Sequence, residues 1–272
     1  MEIAHSADGT ALAYDRLGDG PPVILIGGAT CTRAITAPLA EALSAQCTVI
    51  NFDRRARGDS DDRSGAPYDK QREIEDLAVL IDVAGGHAAV YGHSSGAAVA
   101  LHATLAGLPV DRLIMHDAPY LLEASAKPKA YHAELHRLLA AGQPGEAVAG
   151  FLRKVGMPEE MIAGMVASPS WPAMESVGYS LAYDSSAMGD QDGGGVPYGL
   201  LGQVGVPTLI LVGGADFAFM IDAARALHGA IAGSRFVHLP GSGHGAGPEV
   251  VAPALLEFLA DAKLNGRTRP SP

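Results

Sequence analysis

Residues 88–107, AAVYGHSSGAAVALHATLAG, set a short apolar run against Gly92-His93-Ser94-Ser95-Gly96 and then a long alanine-rich stretch. A serine hydroxyl acts as a nucleophile only when it is held in the open beside a base. Glycines on both sides let the backbone crowd through a strained turn between a strand and a helix, which pushes the Ser94 hydroxyl beyond the strand's end. With 34 glycines in the chain the five-residue pattern says little alone, and its weight comes from the strand before it and the helix after it. Of ten histidines, His244 in LPGSGHGAG is the best-placed base, on a glycine-rich loop after the last apolar run, where loops gather at a sheet's carboxyl end. His93, next to the serine, packs beneath the turn rather than serving as the base.

The elements that must position these residues alternate. MEIAHS and ALAYDR flank Asp8-Gly9 as a hairpin. PPVILIGG and CTVINFD are continuous apolar runs, as expected of strands covered on both faces, with helical spacing in RAITAPLAEALSAQ between them. YDKQREIEDLAVLIDVAGG reads as an amphipathic helix stopped by Gly85-Gly86. Strand AAVYG, helix SGAAVALHATLAG and strand DRLIMHD continue the series, which implies βαβ units and a mainly parallel sheet. From Pro119 the alternation stops in favour of helices separated by AKPK, GQPG, GMPEE and SPSWP. It resumes with VPTLILVGG, FMIDAARALHGAIAG, SRFVHLP and EVVAPALLEFLADA. The expected organisation is a core of residues 1–118 and 206–264, a helical cap at 119–205, and a flexible tail at 265–272. GDQDGGGVPYG is expected to be a mobile linker leaving the cap.

Composition narrows the function. At 272 residues, 48% hydrophobic and 18% charged, the chain can bury a large core. A net charge of −11 without a Lys/Arg run argues against nucleic acid as a partner. Two cysteines, Cys31 and Cys47, do not make a disulfide framework. The N-terminus lacks a signal-peptide pattern, and no apolar run reaches the roughly 18 residues that a membrane span requires. These features imply a cytoplasmic protein with a small-molecule substrate and no membrane or nucleic-acid partner; they say nothing of oligomeric state. His132 and His136, at i and i+4, lack an apparent third ligand and read as a polar helix face rather than a zinc site. The arginines of FDRRARGDS are offset by Asp53, Asp59, Asp61 and Asp62, and are expected to hold a turn together by ion pairs. No glycine-rich nucleotide motif is present, so no cofactor is expected.

Taken together, LIGGAT, NFDRRARGDSDD, GHSSG and GSGHG occur in an order that resembles the α/β-hydrolase superfamily over nearly the whole chain. The resemblance implies an α/β-hydrolase fold, a mainly parallel twisted sheet flanked by helices with an inserted helical cap. It departs at Gly27, where many members carry His before the oxyanion glycine. It implies an oxyanion hole built from the Ser95 N–H and from Gly28 or Ala29, and two positions for the triad acid. Asp216 follows the seventh strand, the commoner site. Asp117 follows the sixth, as in the zearalenone-type lactonases, which share the Ser-Ser-Gly turn and an acid preceded by His and followed by a residue and Pro. Asp117 is preferred on that resemblance, with Asp216 the alternative. In those lactonases a cap tryptophan contacts the substrate, so Trp171 is a substrate-binding candidate, with a cap anchor as its plainer reading. Thr30, Cys31 and His93 join it on the substrate side, Cys31 more plausibly as packing. Met157, Met161, Met165 and Met174 suit either an apolar pocket or plain core.

The implied function is cofactor-independent hydrolysis of a carboxylic ester or lactone of a moderately large apolar substrate through an acyl-enzyme. A C–C bond hydrolase, thioesterase or perhydrolase on the same fold is the alternative, or a non-catalytic ligand-binding protein on a hydrolase scaffold. Epoxide hydrolase or dehalogenase chemistry is disfavoured, because those relatives carry Asp at the place of Ser94.

Overall fold

The computed structural model describes residues 1–261. Its centre is one eight-stranded sheet: β1 (Glu2–His5), β2 (Ala11–Leu17), β3 (Pro22–Ile26), β4 (Thr48–Phe52), β5 (Ala88–His93), β6 (Val110–His116), β7 (Thr208–Gly213) and β8 (Arg235–Leu239). The spatial order is β1-β2-β4-β3-β5-β6-β7-β8, with β2 antiparallel to both of its neighbours, β1 and β4, and every other pair parallel. Every residue of β4 and β7 is buried, because helices cover both faces. On one face α2 (Lys70–Val83), α3 (Ser95–Leu105) and α10 (Ala218–Ala230) pack over Ile24, Val90 and Met115. On the other, α1 (Arg33–Ser44) and α11 (Pro248–Ala260) pack over Leu25, Val49 and Leu211.

Between β6 and β7 the chain leaves the sheet and forms α4 (Ala126–Ala140), α5 (Pro144–Lys154), α6 (Glu159–Val166), α7 (Trp171–Ser176), α8 (Leu181–Met188) and α9 (Tyr198–Leu201). These helices have their own apolar cluster, in which Leu135, Val148, Ile162 and Leu181 are buried. The stretch expected to be a mobile linker is instead stitched down. Leu121 and Ser125 N–H groups donate to the Gly194 and Gly193 carbonyls, and the Val196 N–H donates back to Leu121. A Cβ at Gly193 would lie 2.8 Å from the Ser125 nitrogen, so the glycines there serve close backbone approach rather than flexibility. The tail expected at 265–272 lies outside the described residues, as do residues 262–264.

Strand order explains where a site must form. The chain passes from β3 to β4 on one side and returns to β5 on the other, so the loops after β3 and β5 diverge and leave a crevice at the carboxyl edge. Register does the rest. Ile26 pairs with Gly92, His93 with His116, and His116 with Leu211, so the residues that follow these strands emerge side by side.

Candidate active site

Ser94 sits between β5 and α3 with φ 56° and ψ −125°, a conformation that an L-residue holds only when its surroundings enforce it. The surroundings are the glycines. A Cβ at Gly92 would fall 2.2 Å from the Gly96 carbonyl oxygen, and one at Gly96 would fall 2.4 Å from that of Ile26. Gly28 is bare for the same reason, since its Cβ would lie 2.9 Å from the Cβ of Ser94. The Ser94 N–H donates to the His116 carbonyl (2.9 Å), which locks the turn to β6.

His244 lies on the loop after β8, beside this turn. His93 Nε2 is 2.9 Å from the His244 carbonyl oxygen and the two rings are 4.8 Å apart, so His93 carries the histidine loop on the elbow, the strained turn at Ser94. Its place is therefore between Gly28 and that loop, away from the cavity that Thr30 and Trp171 line. Burial, with His116 and His244 adjoining, pushes the His93 imidazole down to about 3. The loop itself rests on the end of β7, where a Cβ at Gly213 would strike the Ser242 and Gly243 carbonyls.

Both candidate acids reach His244. Its Nδ1 is 3.7 Å from Asp117 Oδ2 and 3.6 Å from Asp216 Oδ2, longer than a hydrogen bond, as catalytic contacts often are before substrate tightens them. Their environments differ. Asp117 is fully buried, accepts from the Gly213 N–H (2.9 Å) and faces His116 Nε2 at 3.2 Å, while Tyr91 holds the other imidazole nitrogen at 2.6 Å. Burial works to raise the Asp117 carboxyl, but His116 and the Gly213 N–H outweigh it and hold it below its ordinary value. For Asp216 burial wins, aided by the neighbouring Asp117, and the carboxyl is pushed up despite the Phe217 N–H. His93, Asp117 and His244 bring their ligand-type atoms within 4.8 Å of one another. His132 is instead 3.0 Å from the Ser185 hydroxyl, its ring 4.3 Å from that of His136.

The arginine-rich turn differs from expectation. Its cations do not close on their own loop's acids alone. Arg55 pairs with Asp76 and Asp8 and reaches Asp62 at 3.5 Å. Arg54 binds Glu73 and Asp184, Arg57 binds Asp184, and Asp53 and Asp59 are taken by Arg33. All three arginines of the turn are buried and need charged partners; with Asp53 and Asp59 held by Arg33, those come mainly from α2 and α8. Glu73 and Asp184 carry no recognisable motif, and sequence reasoning missed them; the four aspartates of the turn's own sequence hid the need for outside partners.

A cavity of about 270 Å³ opens beside the loop after β3, lined by Thr30, Met165, Trp171, Met174 and Val177. Met157 packs in the same apolar cluster, whereas Met161 is 57% exposed and takes no part. Cys31 and Cys47 are free thiols. Cys31 packs against Gly27, its Cβ 3.2 Å from where a Gly27 Cβ would be. No helix among the described residues is long and apolar enough to cross a membrane.

Comparison with known proteins agrees with this architecture. A structure described as an alpha/beta hydrolase from Sphaerobacter thermophilus is 44% identical, with a TM-score of 0.84, covering 95% of this chain and all of that one. An enol-lactonase from Burkholderia xenovorans shares the fold at 21% identity and a TM-score of 0.68, covering 96% of this chain and all of that one. A 2-(acetamidomethylene)succinate hydrolase from Mesorhizobium japonicum is 38% identical over 81 residues, a match that spans 29% of each protein. Residues 23–254 match the alpha/beta hydrolase family, and that span, from β3 into α11 with the elbow inside it, makes the chain a member of the alpha/beta hydrolase family.

Proposed function

We propose that the protein is a serine hydrolase that cleaves a carboxylic ester or lactone through an acyl-enzyme on Ser94. The observation that carries this reading is the strained Ser94 backbone at the start of α3, beside a histidine loop whose Nδ1 faces two buried carboxylates. His244 takes the Ser94 hydroxyl proton as the oxygen attacks the carbonyl carbon, then gives that proton to the departing alkoxide. Water then attacks the acyl carbon, its proton passes to His244, and the serine oxygen recovers a proton as the carboxylic acid leaves. Asp117, held low, supplies the negative charge that steadies the imidazolium, and Asp216, its carboxyl pushed up by burial and by Asp117, stands beside it. The oxyanion is held by the Ser95 N–H and by Gly28 or Ala29, each such donor being worth about 3 kcal/mol. The cap supplies an apolar wall with Trp171 and Thr30 for the substrate's body.

A fluorophosphonate probe tests the reading. The folded protein is expected to label at Ser94 and to lose p-nitrophenyl ester hydrolysis as it does so, while Ser94→Ala neither labels nor turns over. Labelling elsewhere, or full turnover by Ser94→Ala, ends the proposal.

A further inference from the structure

We propose that Asp184, on α8 of the inserted segment, is a positioning residue for the oxyanion hole, acting through Arg54 and Arg57. The inference rests on the serine-hydrolase reading above and adds to it a part of the cap.

The bonds converge on the loop after β3. Arg54 Nη1 donates to the Gly27 carbonyl (3.0 Å) and Arg57 Nη1 to the Gly28 carbonyl (2.7 Å). In a planar trans peptide the carbonyl and the following N–H point in opposite directions. Fixing the Gly27 oxygen therefore fixes the Gly28 N–H, and fixing the Gly28 oxygen fixes the Ala29 N–H, both aimed away from the guanidinium groups. One carboxylate holds both arginines: Asp184 Oδ1 accepts from Arg54 Nη1 (2.7 Å) and Oδ2 from Arg57 Nη2 (2.8 Å). The same Oδ1 accepts the Ser95 hydroxyl (2.7 Å), and Ser95 carries the other oxyanion amide. All three donor peptides are thus tied, directly or through one guanidinium, to a single side chain of the cap.

The charges close as well. Glu73 on α2 grips Arg54 at 2.6 and 2.7 Å, so two buried cations face two buried anions. Losing Asp184 leaves an unbalanced buried positive charge and two guanidinium groups free to turn. An ionic staple that served only to fasten the cap to the core could land anywhere along α2 or α3. This one lands on the two carbonyls that aim the oxyanion amides and on the residue after the nucleophile. Preorganised donors lose their advantage when displaced by a fraction of an ångström, so α8 must be seated for the hole to work.

Asp184→Asn keeps the shape and removes the charge. On a p-nitrophenyl ester it is expected to lower kcat about 10- to 100-fold with KM within about twofold. A trifluoromethyl ketone, which places an oxyanion in the same hole, should show an inhibition constant raised by the same factor as kcat falls. Should Asp184→Asn not fold, Arg57→Lys carries the test, because an ammonium cannot span the Gly28 carbonyl and Asp184 as a guanidinium does; the same split is expected. Folded variants with full kcat and unchanged ketone inhibition overturn the clamp, as does a loss confined to melting temperature or to KM. Ser94→Ala run alongside separates the two readings. If that variant is inactive the serine mechanism stands whatever Asp184 does, and if it turns over both proposals fall.

Discussion

Four non-glycine residues among those described hold a positive φ: Thr30, Ala56, Ser94 and Asp117. Each such residue costs about 1–3 kcal/mol. Three of them lie in the loops that converge at the carboxyl edge, and Ala56 lies in the turn that carries Arg54, Arg55 and Arg57. Strain of this kind is relieved by glycine, so Ala56→Gly is expected to raise stability by about 1 kcal/mol, read as a higher urea midpoint with an unchanged slope. At Asp117, with φ 50°, asparagine is the substitution that tolerates the backbone, so Asp117→Asn removes charge without adding strain. It is expected to lower kcat by roughly two to four orders of magnitude, since a neutral amide cannot steady the imidazolium. Asp216→Asn, which replaces a carboxyl already inclined to hold its proton, is expected to cost less than about tenfold, and steady-state kinetics on the two variants would hand the acid's role to Asp216 if the order reversed. The places of Ser94 and His244 in the fold were legible because local sequence dictates them, a glycine-flanked turn and a glycine-rich loop after an apolar run. The acid was not, because β6 and β7 are adjacent parallel strands that end at one edge, and both deliver an aspartate to the same histidine.

Elements were more legible than the joints between them. The hairpin, the six strands that follow it in the core and the amphipathic helices all form where hydrophobic spacing placed them. The stretch 189–199 differs from expectation because glycine marks both flexibility and close approach, and only the neighbouring chain at 121–125 decides which. Another joint fastens α3 to α8, where His102 Nε2 is 3.0 Å from the Ala187 carbonyl. To bond a carbonyl that nitrogen must carry the proton. Burial, with Lys70 nearby, pushes the His102 imidazole from 6.5 down to about 4. A histidine held neutral in the folded chain charges first in the unfolded one, so stability falls as pH drops from 6.5 towards 4 and the loss levels off below that. The expected contribution is about 3 kcal/mol at the acid limit, taken from the size of the shift. His102→Gln retains a donor for Ala187 and cannot titrate, so its melting temperature should depend less steeply on pH across that window. An unchanged slope would mean that His102 is not held neutral there.

For the molecule as a whole, the sheet supplies an edge and the insertion between β6 and β7 supplies a wall above it. The wall's chemistry is apolar. Met165, Trp171, Met174 and Val177 face Thr30 and Thr32 across about 270 Å³. A cavity of about 150 Å³ already takes benzene, so this one suits an aromatic ring with several further carbons, which fits the proposed ester or lactone of an apolar substrate. Because the cavity begins at Thr30, two residues along the loop from Gly28, occupancy of the wall and attack at the elbow are separable: a short acyl ester needs only the edge, whereas a long or aromatic one also needs the wall. Trp171→Ala is therefore expected to raise KM about tenfold for a p-nitrophenyl ester with a bulky apolar acyl group, the loss of about 1.4 kcal/mol of apolar contact. For p-nitrophenyl acetate it should leave KM and kcat within about twofold. If the acetate suffers as much as the bulky ester, Trp171 anchors the cap to the core rather than the substrate to the cap, and the fall in melting temperature that follows lost core packing should accompany it.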